Sequence, residues 1–246
     1  MKKVLAFAGL SLMTVGAFAQ TNLQLFYDFG DGREYVTTTL EGYYGDKWGD
    51  TFFFVDYDYS TKDNRDDEKK FGPQKSYFEI ARGINFWQDT ALGALSAHVE
   101  YNGGIGFGCK NWLFGANYLL HNADFSNIFT FELMYKTFDH KDASDLPLQF
   151  TFVWGMQDIF GAKGLRFSGF ADIWGENTSY WYSMEDPLKE DEGKFIFISE
   201  PQLWYNIGSL FGCENLHIGT EVELSYNFAG TAGFKCRPCL GAKWVF

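Results

Sequence analysis

Acidic residues recur at alternate positions within short aromatic stretches of this chain. Asp28 follows Phe26 in Leu25-Phe26-Tyr27-Asp28-Phe29, and Asp56 and Asp58 follow Phe54 in Phe53-Phe54-Val55-Asp56-Tyr57-Asp58-Tyr59. Glu41, Glu79, Glu100, Glu132, Asp172, Glu200, Glu221 and Glu223 repeat the pattern farther on. Lys136, Arg166 and Lys243 fall in the same phase, with His98 and His217 as further partners. Successive side chains of a strand point to opposite faces, so each stretch places its acids on one face. Carboxylates gathered around one space focus negative potential and disfavour anionic solutes. Phe26, Tyr43, Phe54, Tyr77, Phe170, Trp174 and Trp204 share that phase. Flat rings among hydrogen-bonding groups can stack a nucleobase or sugar, at about 1–3 kcal/mol per stacked base. The same residues also fit a packed polar interior, whose acids pair with the few bases and share protons, since a small barrel can be filled by side chains alone.

Other chemistry has weaker support. Ser96, His98 and Glu100 share a strand face, and a nucleophile beside a base is what acyl transfer or lipid hydrolysis needs. No G-x-S-x-G, H-E-x-x-H or glycine-rich phosphate loop accompanies them, so the chain does not read as an enzyme. Cys236-Arg237-Pro238-Cys239 has a C-x-x-C spacing at the last outer turn, but a zinc site needs two more ligands and none has matching spacing. In an exported protein a disulfide is favoured, Cys236 or Cys239 pairing with Cys109, while Cys213 stands apart. The acid runs at 63–68 and 185–192 match no EF-hand loop. They suit solvated loops, or bridging of lipopolysaccharide through divalent ions. No cofactor and no metal centre is assigned.

The elements that must position these residues follow from composition and period. The chain has 246 residues, 46% apolar and 20% aromatic, with net charge −12 and mean hydropathy −0.22. That apolar content excludes a disordered chain, and the acid excess argues against nucleic acid as a partner. Four cysteines are too few for a disulfide scaffold. Beyond residue 20 no apolar run is long enough for a membrane helix. Met1-Lys2-Lys3, the apolar run from Val4 to Val15 and Ala17-Phe18-Ala19 read as a signal peptide over 1–19, cleaved after Ala19, rather than a buried N-terminal strand or helix.

From residue 20 to 246 the dominant period is two. Leu23, Leu25 and Tyr27 alternate with Gln24 and Phe26; Phe129, Phe131, Leu133 and Tyr135 alternate with Thr130, Glu132 and Met134; Leu240, Ala242 and Trp244 alternate with Gly241 and Lys243. Arg82 falls on the apolar side, which marks a rim position or a bulge. Such segments number about twelve, an even count that suits membrane strands of roughly 9–11 residues with both termini on one side. Connections near 45–50, 87–90, 121–127 and 158–164 read as short and inner, and 60–75 and 176–194 as long and outer. A soluble sandwich or lipocalin-like barrel would alternate too, with its polar face outward. The export signal, the rings at strand ends (Tyr27, Tyr57, Tyr101, Tyr135, Trp154, Tyr226) and the terminal Phe246 favour the membrane. The expected fold is therefore all-β, a single antiparallel transmembrane β-barrel over 20–246. Its place is the outer membrane of a Gram-negative bacterium, in contact with outer-membrane lipid and lipopolysaccharide. Its last strand is read by the barrel assembly machinery.

Several segments carry a family likeness. They are Leu25-Phe26-Tyr27-Asp28-Phe29-Gly30, Trp48-Gly49-Asp50-Thr51-Phe52-Phe53-Phe54-Val55-Asp56 and His98-Val99-Glu100-Tyr101-Asn102-Gly103-Gly104. Phe167-Ser168-Gly169-Phe170-Ala171-Asp172, Ser199-Glu200-Pro201-Gln202-Leu203-Trp204, Gly219-Thr220-Glu221-Val222-Glu223 and Ala242-Lys243-Trp244-Val245-Phe246 add to it. Together the chain resembles a divergent branch of the Tsx-like nucleoside-specific channels of the outer membrane. The resemblance implies a twelve-stranded barrel with a narrow aromatic and polar lumen, and passage of small polar solutes, nucleosides among them. The alternatives are a closed structural or surface-interaction barrel and a lipid-modifying enzyme. Mass spectrometry of the exported protein is expected to find Gln20 at its N-terminus, and a product retaining Met1 would remove the export reading.

Overall fold

The computed structural model describes residues 20–30, 33–59, 72–106, 109–138, 144–181 and 190–246, with side chains at 178–193 excluded. The expected signal peptide, the acid run at 63–68 and the side chains of 185–192 lie outside the described residues.

Alternating β-branched and aromatic residues produce strands throughout, because such side chains pack well on a pleated surface. The first four are β1 (Gln20–Asp28), β2 (Val36–Asp46), β3 (Gly49–Tyr59) and β4 (Pro73–Ile84). Next come β5 (Leu95–Ile105), β6 (Lys110–His121), β7 (Asn127–Lys136), β8 (Leu148–Met156) and β9 (Leu165–Trp181). The last are β10 (Glu190–Ser199), β11 (Gln202–Tyr205), β12 (Leu216–Tyr226) and β13 (Phe234–Val245). Each neighbouring pair is antiparallel, and β1 closes on β13 from Asn22↔Val245 to Asp28↔Cys239. β10 and β11 fill one slot between β9 and β12, so the barrel has twelve staves. Closure leaves no strand edge, the condition for a sheet to sit in hydrocarbon.

The split in that stave has a local cause. Pro201 has no N–H for the ladder, and Glu200 instead donates its N–H to the carbonyl of Phe170 at 3.1 Å. The chain presses against Gly169 there: a Cβ on it would lie 2.4 Å from the carbonyl oxygen of Glu200. Only glycine admits that approach.

Burial is inverted relative to a soluble domain. Leu25, Ile80 and Leu133 are 50% exposed or more, whereas Gln24 and Ser225 are 1% exposed. Rings pack side by side across strands on the outer face, as in Tyr101–Trp112 at 4.8 Å and Phe131–Phe152 at 4.9 Å. A continuous apolar exterior of this kind suits lipid, not water. Arg82 is on that exterior, near the rim holding both termini. It donates to Thr51 at 3.0 Å and pairs with Asp46 at 2.9 Å, and the β3–β4 register runs through it without a bulge.

The connections depart from the expected contrast of short inner and long outer loops. At the rim holding the termini, 85–94 and 206–215 are long, while at the far rim 106–109 is short. The long inner ones fold on themselves: Gly93 N–H donates to Thr90 at 3.0 Å, and Gly208–Phe211 forms a 3-10 turn. Cys236 and Cys239 are not in a turn. They lie within β13 on opposite faces, and all four cysteines are thiols, so the expected disulfide to Cys109 is not formed.

Leu133→Arg places a charge at mid-height on the outer face. It is expected to lower folding stability in lipid vesicles by about 2–4 kcal/mol, measured by equilibrium unfolding. A neutral effect would mean that this face meets water.

Candidate functional site

The register assembles the inward face from residues distant in sequence. Thr39 faces Asp56 and Thr37 faces Asp58 across β2 and β3; their hydroxyls donate to these carboxylates at 2.6 and 2.8 Å. Asn22 donates to Glu41 at 2.8 Å, Gln202 to Glu221 at 2.5 Å and Tyr77 to Glu79 at 2.5 Å. Neutral donors at alternate positions thus help to satisfy these carboxylates, as buried acceptors require.

At the far rim the charges are paired. The connection after β1 turns inward, with Gly30 N–H donating to Asp28 at 2.7 Å. It carries Arg33 to Asp28 at 3.0 Å and to Glu223 on β12. Arg237 of β13 meets the same Glu223 at 2.6 Å, and Ser225 donates to it at 2.6 Å. Burial opposes the charge on Arg33, but Glu223 and Asp28 outweigh it, so its guanidinium is held even more firmly protonated than usual.

Elsewhere on the inward face, rings and lysines fill space. Lys136 Nζ lies 3.7 Å from the Trp174 ring centre and Lys243 Nζ 4.1 Å from that of Trp204. Trp204 is 0% exposed, 5.6 Å from the Phe26 ring, and donates to Gln202 at 2.8 Å. Each cation–π contact occupies a ring face that a solute might otherwise use. Ile196 and Ile198 join Trp174 in an apolar patch on the wall, against Phe138, Phe170 and Phe228.

Phe26, Asp28, His98, Glu100, Trp204 and Glu223 are buried on the inward face. Glu41, Phe54, Asp56, Asp58, Glu79, Phe170, Asp172, Glu200 and Glu221 are half-buried there. The structure brings them into two groups. Asp28 and Glu223 meet at the far rim, with Asp56, Asp58, Glu41, Glu200 and Glu221 as electrostatic neighbours of one another or of Arg33. Glu79, His98, Glu100 and Asp172 form the second group with Glu132 and Lys136. The imidazole of His98 faces Glu100, Glu132 and Asn117, not Ser96, so the proposed nucleophile–base pair is not assembled.

Sequence reasoning missed Arg33, Asp50, Ile196, Ile198 and Arg237. For Arg237 the signal was present: continuing the Lys243, Gly241 phase backward reaches Cys239 and then Arg237. For Asp50 the same extension runs back from Phe54 through Phe52. Arg33 gave no periodic signal, because it enters from a connection.

Residues 19–246 match the family model described as "Domain of unknown function (DUF5020)", and the chain belongs to that family. No curated protein sequence is significantly similar to it. Among solved structures it is similar to a "KdgM porin", with 9% identity, TM-score 0.50, and 92% of this chain and 99% of that one covered. It is also similar to the NanC porin, with 8% identity, TM-score 0.54, and 91% of this chain and 98% of that one covered. At such identities the likeness is one of fold.

Glu223→Ala would leave Arg33 and Arg237 without their shared acid. Breaking a buried pair in this way costs about 3–5 kcal/mol, read as a lower midpoint in urea unfolding. A loss within error would mean that the cluster is solvated.

Proposed function

We propose that this DUF5020-family barrel is an outer-membrane channel of a Gram-negative bacterium for small polar solutes. Passage is passive, through a narrow acidic and aromatic lumen that favours cations and neutral molecules over anions. One observation carries this reading. Among the described residues the inward face of a closed barrel holds more carboxylates than cations, and Glu41, Asp56 and Glu221 take hydrogen bonds from the neutral side chains of Asn22, Thr39 and Gln202. A low-dielectric wall around such a surface raises the local concentration of cations. Nucleosides are the first neutral class to try. The paired rings of Phe54 and Tyr77, centres 5.8 Å apart, lie beside Asp56 and Glu79 and join a stacking surface to hydrogen-bond acceptors. The resemblance to Tsx-like channels points the same way. On this reading the chain is no enzyme, residues 1–19 direct export, and Phe246, just after β13, serves recognition by the assembly machinery.

A second reading is a closed barrel without transport. It is favoured by the depth of side-chain filling: Leu113 and Trp204 are 0% exposed and Met134 is 1% exposed.

Planar bilayers separate the two. Under a potassium chloride gradient the channel reading expects a reversal potential on the cation side. Asp56→Asn with Glu221→Gln should shift it toward zero while the protein still inserts. Added nucleoside should reduce the current, and Phe54→Ala should weaken that block. Silent bilayers at high protein density would support the closed barrel.

A further inference from the structure

The channel reading leaves one group of nitrogen and oxygen ligands without a role. One ring nitrogen of His98 and one oxygen each of Glu100 and Glu132 all lie within 4.8 Å of one another. His98 Nε2 is 3.1 Å from Glu100 Oε2, and Nδ1 is 3.9 Å from Glu132 Oε1. All three residues are buried, at 7, 7 and 9% exposure. The register sets a glycine on either side of His98, Gly83 on β4 and Gly115 on β6. A Cβ on Gly83 would lie 2.7 Å from Asp50 Oδ1 and 3.3 Å from Asn117 Nδ2. The room this glycine leaves is thus filled by two polar side chains beside the imidazole.

Two further oxygens point to a missing positive charge. Asn102 is 4% exposed, on the same face of β5 just beyond Glu100, and its Oδ1 has no donor among the described residues. Asp172 Oδ1 also has none, and that carboxylate is an electrostatic neighbour of Glu100 and Glu132. Buried acceptors without donors are costly. The nearby cation, Lys136, is already engaged by Gln149 at 2.9 Å and by the face of Trp174. A protonated His98 would offset only one of the carboxylates around it.

We infer that His98, Glu100 and Glu132 bind a divalent transition-metal ion of the zinc class in the lumen wall, with Asp50 as the adjoining carboxylate. A zinc ion about 2.0–2.2 Å from nitrogen and oxygen ligands holds those ligands roughly 3–3.6 Å apart. One ring nitrogen and the two carboxylate oxygens here lie within 4.8 Å of one another, so the side chains close in on the ion when it binds. An imidazole nitrogen among the ligands selects zinc or cobalt over magnesium or calcium, which prefer all-oxygen sets. The site adds to the channel reading and stands whether or not the lumen conducts.

The test uses the full mature chain, stripped with chelator, refolded in detergent with cobalt(II) and dialysed. The expected result is a single bound equivalent with visible d–d bands, displaced by zinc and untouched by magnesium or calcium. His98→Gln and Glu132→Gln should abolish the bands, whereas His121→Ala, at the rim, should keep them. Heat-dependent mobility on gels reports whether each variant has folded. No saturable cobalt uptake by the wild type overturns the inference, as does unchanged uptake in the folded variants. If neither variant folds, electron spin-echo spectroscopy of copper(II)-loaded wild type decides: a histidine signal from the single equivalent supports the site, and its absence overturns it.

Discussion

The pairing of β1 with β13 is the contact on which the rest of the barrel depends. Until those strands meet, two rows of backbone donors and acceptors lie open, and hydrocarbon offers them no partner. The seam is held at both ends by more than its ladder. At the rim holding the termini, Phe246 N–H donates to Thr21 at 2.9 Å. At the far rim, Asp28, Arg33, Glu223 and Arg237 join β1, its following connection, β12 and β13 in one cluster. Between them, Phe26 and Lys243 pack on Trp204. These groups lie far apart in the chain, so their contacts form only when the ring of strands closes.

Closure also sets the electrostatic character of the interior. It turns every carboxylate of the inward phase toward one confined volume. The strand cations are fewer, and Lys136 and Lys243 lie over tryptophan rings. Threonine, asparagine and glutamine side chains therefore carry much of the hydrogen bonding to the acids. The resulting interior is lined by many carboxylates set among neutral hydrogen-bond donors. An apolar patch at Trp174, Ile196 and Ile198 interrupts it on one wall.

Much of this was legible in the residues. The face of Glu100 or Asp172 follows from counting by twos, and the same count turns Leu133 and Phe150 outward. What failed were features that do not obey the period. Arg33 comes from a connection, so its place beside Glu223 could not be read. Cys236-Arg237-Pro238-Cys239 reads as the last outer turn, yet the ladder runs through it to the far rim. Glu200-Pro201 interrupts a stave without ending it, because Gly169 on β9 lets the chain pass close by. The inner connections are also longer than the short inner loops expected, and 85–94 and 206–215 form their own internal hydrogen bonds.

The sequence by itself determined which residues face in and which face out, and roughly how many staves there are. The reason is covalent: side chains of an extended chain alternate, whatever they later meet. Only the tertiary structure decided which carboxylates meet a cation and which are left with neutral donors. Partnership across a barrel depends on register and closure, and these join residues such as His98 and Glu132, or Asp28 and Arg237, through strands whose alignment no local pattern specifies.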